Sequence, residues 1–447
     1  MAFRQVPLRQ EPPQVVIPPL QQLPAPPGWQ WYILPEHSLP LVSWQLIFPV
    51  GAAHAPQPGL TWLTLRSLLR GTKHQRAEEF HCRLEATGAT LEVAIQQDFS
   101  VVRCLCLRTV LSEVFPLVLE MLAEPAFLEE EVSRERQRQE VALEEQCQEV
   151  EALARFAFFT LAAAGHPYSQ PRLGKRSVLP HLTADACRRW YEVMCRAVPR
   201  IVLIGGDLRA EEALQWLERL QGAFPAEGVE STLPPLAGQW QRRVALAAKP
   251  GALQSALTFG LPAPRAGQEA YPAAYLIAAS LGGYFLARLN RRLREYEGMT
   301  YGVSAVLLSL RAGGLTLIET SLATEQLGHA CARVLDELEW LQHNPLPQEE
   351  FQRVLRVVYG ATLRQTVTLD GILGLYSSAL VHGLASQYPQ HFLEALRRLT
   401  PEELLAVQRD FFRPELVLIA AAGDPEEVAP QLAGFGRVET VPSPCES

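Results

Sequence analysis

Short apolar runs at Leu41–Phe48 and Val101–Leu107 read as strands, and long stretches of helical period lie between them. Residues 128–163 carry such a helical pattern, with Glu130 and Arg134 at the i,i+4 spacing that supports a helix face. A further uncharged run, Ala270 to Ala287, contains Pro272, Gly282 and Gly283. It falls short of the roughly 20 apolar residues a membrane span requires, so it reads as a buried helix and its turn. Strands and helices mixed in this way predict an α+β fold.

The pattern repeats along the chain. Leu182-Thr183 opens a helix, an apolar run follows at Ile201–Ile204, and Gly206-Asp207 leads to Glu211-Glu212. At an offset of 217 residues, Leu399-Thr400, Leu418–Ala421, Gly423-Asp424 and Glu426-Glu427 follow the same order. Thr and Asp suit helix N-caps because their side-chain oxygens accept from free helix amides, and Thr400 with Glu403 makes a capping box. A period this long means duplicated domains rather than a solenoid. Residues 1–30 contain eight prolines and read as an extended arm, on the surface or mobile. A second Pro- and Gly-rich stretch, 222–239, reads as a linker between an N-terminal domain, 31–221, and a C-terminal domain, 240–447.

Composition narrows the function classes. A chain of 447 residues with 48% apolar and 20% charged positions is globular, and its length suits two domains. A formal charge of −8 argues against nucleic acid, which needs a basic surface to displace counterions. Three lysines against thirty-seven arginines, and two asparagines, fit a GC-rich genome. None of the eight cysteines forms a CxxC pair, so buried free thiols in a reducing compartment are expected in preference to disulfides. No signal-peptide core opens the chain and no run suits a membrane helix; a cytoplasmic, membrane-free protein is expected.

The usual catalytic signatures fail. No two of the ten histidines sit at i,i+4, so neither HxxEH nor HExxH occurs. His74, Glu78 and His81 share a helical side but lie among Lys73, Arg76 and Arg83, as a solvated face would. Arg176 splits Lys175 from Ser177 in what resembles a P-loop tail, and GxSxG is absent. Cys104 and Cys106 share a strand face with no neighbouring base, which suits core packing.

One segment stands out. Phe285 to Ala305 reads as a basic helix, a glycine stop at Gly298, and a strand from Met299 to about Leu310. Arg294 and Tyr301 fall seven apart across that turn, which could aim a guanidinium and a phenol at one cavity. Taken alone, a surface arginine and a half-buried strand tyrosine is the stronger reading.

This run resembles the C-terminal-half signature of the M16 zinc peptidases, the pitrilysin, insulinase and mitochondrial processing peptidase group. Their LRE-x-x-G-x-x-Y pattern is matched by Leu293-Arg294-Glu295, Gly298 and Tyr301, and the turn Leu281-Gly282-Gly283-Tyr284-Phe285 also matches. Gly59-Leu60-Thr61, Leu68 to Thr72, Leu84 to Ala89 and Gly165-His166-Pro167-Tyr168 fall in family order. The resemblance implies two homologous α+β domains, each a mixed sheet packed against helices, closing as a clamshell. It also implies that Arg294 and Tyr301 bind substrate backbone, and that Thr90–Ala94 lies where the family has an edge strand.

The chain departs from the family where zinc would bind. Trp62 and Arg66 stand in place of the two histidines of HxxEH, and Leu65 in place of the general-base glutamate. Glu145 remains at the place of the third ligand. One carboxylate cannot hold a catalytic zinc, which takes three protein ligands. Arg66 is expected to pair with Glu145, since an unpaired buried carboxylate is costly. Some family members work as heterodimers in which one subunit holds zinc and the other supplies the arginine–tyrosine pair. The resemblance therefore implies a non-catalytic subunit that binds peptide or unfolded protein and has no cofactor of its own. A homologous HxxEH-bearing partner would hold the zinc. A homodimer is the alternative assembly when the chain is isolated. The competing readings are a scaffold with no role in proteolysis, and a stand-alone peptidase recruiting His166 or His74.

Overall fold

A computed structural model describes residues 14–238 and 240–446. The first half contains strands β1 (Gln21–Leu23), β2 (Trp29–Pro35), β3 (Leu41–Phe48), β4 (Thr90–Ile95), β5 (Ser100–Leu107), β6 (Ala197–Val198), β7 (Arg200–Gly206) and β8 (Val229–Glu230). Its helices are α1 (Leu60–Leu68), α2 (Ala77–Ala86), α3 (Leu111–Ala123), α4 (Glu129–Gln148), α5 (Val150–Ala162), α6 (Ala184–Arg196) and α7 (Ala210–Gly222). The second half contains β9 (Arg243–Ala248), β10 (Gln254–Ala263), β11 (Thr300–Ser309), β12 (Gly314–Ala323), β13 (Leu418–Gly423) and β14 (Val438–Val441). Its helices are α8 (Tyr271–Gly282), α9 (Leu327–His343), α10 (Gln348–Gln365), α11 (Leu369–Leu380), α12 (Tyr388–Arg398), α13 (Pro401–Phe411) and α14 (Pro425–Leu432).

The duplication is explicit in the topology. Among the described residues one sheet runs β1-β2-β7-β3-β5-β4 and the other β14-β9-β13-β10-β12-β11. The central strands β7 and β13 are buried along their whole lengths, which is why both read as continuous apolar runs. At the outer end of each sheet lies an edge that is unpaired among the described residues: there β4 pairs with β5 alone, and β11 with β12 alone.

Each half lends a helix to the other. Helix α5 lays Ala154, Ala157 and Phe158 on the second sheet, against Ala245, Ala247 and Ala420. Gly260 makes room for it, since a Cβ there would lie 2.0 Å from the Phe158 ring. Reciprocally, Ile372 and Leu373 of α11 share a core with Ile201 and Leu203 of β7. A Cβ on Gly205 would lie 2.9 Å from Leu369. This exchange explains why the helix expected over 128–163 is two helices. Glu149 is extended (φ −92°, ψ 115°) between them, and the break redirects α5 onto the second sheet.

Two further expectations are corrected. Cys147 and Cys445 form a disulfide with Cα atoms 6.6 Å apart. They are 298 residues apart in the chain, and folding brings the C-terminal tail back to the end of α4. Asp207 caps no helix: its carboxylate meets His37 at 2.7 Å, and α7 begins later with Arg209 at its N-cap. Thr183, Thr400 and Asp424 do accept helix amides, and Thr400 with Glu403 closes the capping box.

The proline-rich arm enters the structure before residue 31. Gln21–Leu23 pairs antiparallel to Trp31–Ile33, and Val15 and Ile17 are buried against the second half. The described part of the linker stretch, 222–238, is also tied down: β8 pairs with β6, and the Leu236 amide donates to the Ala312 carbonyl at 2.9 Å.

Candidate functional site

The site grows from α1. Gly59 at its N-cap has φ +89°, and a Cβ there would meet the Leu173 carbonyl oxygen at 2.9 Å, so only glycine fits the entry. Trp62 and Arg66 are four apart on the half-buried face, with the guanidinium 5.7 Å from the Trp62 ring centroid. Trp62 lines a large cavity, whereas Leu65 is fully buried in the first half's core.

Arg66 does not pair with Glu145. Its Nε lies 3.8 Å from Glu135 Oε2, and Glu135 is fully buried and also bound by Arg70 and Arg138. Glu145 is exposed, ten residues farther along α4, about 15 Å at 1.5 Å rise per residue. The pairing follows depth: a buried carboxylate needs cations, and Glu135 is the acidic group of α4 that is buried. An indole, an isobutyl group and a guanidinium offer no lone pair to a metal, so these residues do not fit zinc. Among the described residues no group of three or more His, Cys, Asp or Glu is arranged to hold a metal ion.

The Arg294–Tyr301 segment folds as wide helical turns over Asn290–Tyr296, followed by Gly298 at φ +62° and then β11. Asn290 bridges the turn, accepting from the Val303 amide at 2.8 Å and donating to the Val303 and Tyr284 carbonyls. Arg294 packs 3.5 Å from the Phe285 ring centroid and donates to the Phe285 carbonyl at 3.2 Å and to Glu295 at 2.8 Å. Its side chain is 19% exposed, and it lines the same cavity as Trp62. Tyr301 is 96% exposed and is not among the cavity-lining residues, although its neighbour Gly302 is. The structure thus reverses the burial expected for a surface arginine and a half-buried tyrosine.

The cavity holds about 1630 Å³ and lies between the halves. Both unpaired edges contribute to its wall, β4 through Val93 and Ile95 and β11 through Gly302, Val303 and Ser304. Tyr271, Tyr275, Tyr388 and Phe392 make a cluster with ring centroids 5.4–6.4 Å apart on the second half's side. Arg155 of α5 crosses to Glu319 of β12, with Nε 2.7 Å from the carboxylate. At the turn between β4 and β5, buried Asp98 accepts from the Tyr168 hydroxyl and from the Arg311 amide at 2.9 Å. Burial, with Asp98 beside it, pushes the Tyr168 hydroxyl far up, so it remains a donor. His54 sits beside this junction, and burial lowers its pKa to about 4. Its Nδ1 accepts the Gly51 amide at 3.1 Å.

Among the described residues neither His166 nor His74 belongs to a group of three or more metal-binding side chains. The first contacts the Pro234 carbonyl at 2.9 Å and the Tyr168 amide, and the second pairs with Glu124. Cys104 and Cys106 are buried, and burial pushes the Cys106 thiol up to about 11. Sequence reasoning missed Glu135, Asp98 and the aromatic wall. For Glu135 a signal existed, since Arg138 sits at i,i+3 in a helix otherwise rich in solvated charges.

Comparison with known proteins bears on the family and the fold. Residues 33–175 match the family described as "Insulinase (Peptidase family M16)", and residues 181–358 match "Peptidase M16 inactive domain". The chain is 21% identical to the "Non-peptidase homolog YmxG" of Helicobacter pylori over 376 residues, 83% of this chain and 86% of that one. A Pseudomonas fluorescens structure described as a peptidase M16 inactive domain superposes with TM-score 0.84 at 21% identity, over 91% of this chain and 98% of its own. A protease structure from Helicobacter pylori gives TM-score 0.81 at 17% identity, covering 91% of this chain and 100% of its own.

Proposed function

The chain belongs to the M16 peptidase family as a degenerate member, and we propose that it is a non-catalytic subunit that binds extended peptide for a homologous, zinc-bearing partner. The observation that carries this reading is the cavity itself. It is large, two unpaired sheet edges lie on its wall, and Arg294 lines it beside β11. An edge strand offers a row of free amides and carbonyls to an extended chain, which adds as a further strand. Arg294 keeps N–H groups beyond the two bonds it makes, and these can donate to a peptide carbonyl. Tyr301, at the exposed start of the same strand, would reach outward into a partner's site rather than into this chain's cavity. In this reading the subunit needs no cofactor, the zinc belongs to the partner, and the pair acts in the cytoplasm.

The test is hydrolysis of an unfolded peptide by this chain, by an HxxEH-bearing homologue, and by the two mixed. Activity is expected only in the mixture. Arg294→Ala and Tyr301→Phe should each lower it by roughly tenfold or more, as expected when a charged or buried donor is lost. An inert mixture, with no peptide bound by this chain in fluorescence anisotropy, would leave a scaffold with no part in proteolysis.

A further inference from the structure

We propose that the C-terminal tail is a latch on the cavity, closed by the Cys147–Cys445 disulfide and opened by a dithiol reductant; this rests on the peptide-binding reading above. After β14 the chain leaves the second half and crosses to the first. There the Pro444 carbonyl accepts the Arg176 amide at 3.0 Å. Ser443 and Pro444 are buried, and Cys445 packs against the first half's core. Its bonded partner, Cys147, lies one residue before the end of α4, next to the break at Glu149 that sends α5 to the other sheet. Lys249 of the second half grips the same helix end, donating to Gln148 at 2.9 Å. The tail therefore sits on the seam between the halves.

Its position makes it a gate. Pro444 lines the peptide cavity, and so do Gln146 and Glu149 on either side of Cys147. The tail is thus part of the wall, held by the disulfide, by the Pro444 hydrogen bond and by the packing of Ser443, Pro444 and Cys445. Both cysteines are half-buried, so a thiol can reach the bond, whereas Cys104, Cys106, Cys187, Cys195 and Cys331 are buried free thiols. Opening is an ordinary exchange. A thiolate of the reductant attacks one sulfur and releases the other as thiolate; its second thiol resolves the mixed disulfide. The reductant's two thiols are oxidised to a disulfide, and Cys147 and Cys445 each gain an electron and a proton. With the bond broken, the segment after β14 keeps non-covalent contacts, the Arg176 hydrogen bond among them, and opens readily. In a reducing cytoplasm the gate would stand open, and oxidative conditions would shut it.

The full-length protein tests this in two independent readouts. Oxidised protein and protein reduced with dithiothreitol are compared by hydrogen exchange at the Arg176 amide and by stopped-flow association of a labelled unfolded peptide. Reduction is expected to add 2 Da, to speed Arg176 exchange at least tenfold, and to speed peptide association at least tenfold. Cys445→Ser should behave as reduced protein with or without dithiothreitol, and Cys82→Ser, at the exposed free cysteine, as wild type. Arg176 protection unchanged by reduction would overturn the latch. Arg176 released with peptide association unchanged would overturn the gate. Released Arg176 with no peptide bound in either state would support the latch and overturn the peptide-binding reading.

Discussion

At the residue scale the site is defined by which charges are buried. Glu135 has no exposed side-chain surface and three arginines around it, so its carboxylate organises α1 against α4. Arg70, the most buried of the three, is the partner whose loss matters most. Arg70→Ala should cost on the order of 2–4 kcal/mol in urea unfolding, because it leaves a buried carboxylate short of a cation. Glu145→Ala should cost less than about 0.5 kcal/mol, as a change on an exposed helix face does. The same scale sets a pH dependence. His54 is held neutral, with its pKa lowered from 6.5 to about 4, so the unfolded state binds the proton more readily. Its contribution is intact above pH 6.5 and is lost progressively as pH falls toward 4, by about 3 kcal/mol at most. Thermal melts from pH 7 to 4 should therefore fall less steeply for His54→Gln than for wild type. Equal slopes would rule out His54 as a source of the acid sensitivity.

At the element scale, helix starts carry two local signals, a capping side chain and acidic residues in the first turn, and α4 and α7 have only the second. Thr183, Thr400 and Asp424 cap as their residue types require. Arg209 has no side-chain bond to the first turn of α7, because Asp207, the residue suited to the cap, falls too early and turns to His37. Arg209→Ser should then add about 1 kcal/mol to stability by urea titration, and Thr400→Ala should remove a similar amount. A loss from Arg209→Ser would show that the arginine has a role its exposed position conceals. The break at Glu149 escaped the periodicity because both flanking helices continue the same amphipathic pattern, and only their targets differ.

At the scale of the whole molecule the halves are interlocked rather than merely joined. Helix α5 completes the second half's core and α11 completes the first half's, while Asp98 and Arg155 tie the seam with polar bonds. Unfolding followed by tryptophan fluorescence and by far-ultraviolet circular dichroism should give one coincident transition. Two separated transitions would mean that each half holds its core without the borrowed helix. The sequence by itself determined the duplication, the strands at Leu41–Phe48, Val101–Leu107, Ile201–Ile204 and Leu418–Ala421, and the helices that open after Thr183 and Thr400, because these depend on local period and caps. It also determined the loss of metal ligands, because donor chemistry belongs to residue identity: Trp62, Leu65 and Arg66 cannot become ligands in any fold. Only the tertiary structure decided which carboxylate meets Arg66, which two of eight cysteines join, and that Arg294 turns inward while Tyr301 turns out. Those outcomes depend on depth and on contacts between residues tens to hundreds of positions apart. No local pattern records which half a helix will cover, because its apolar face suits either sheet.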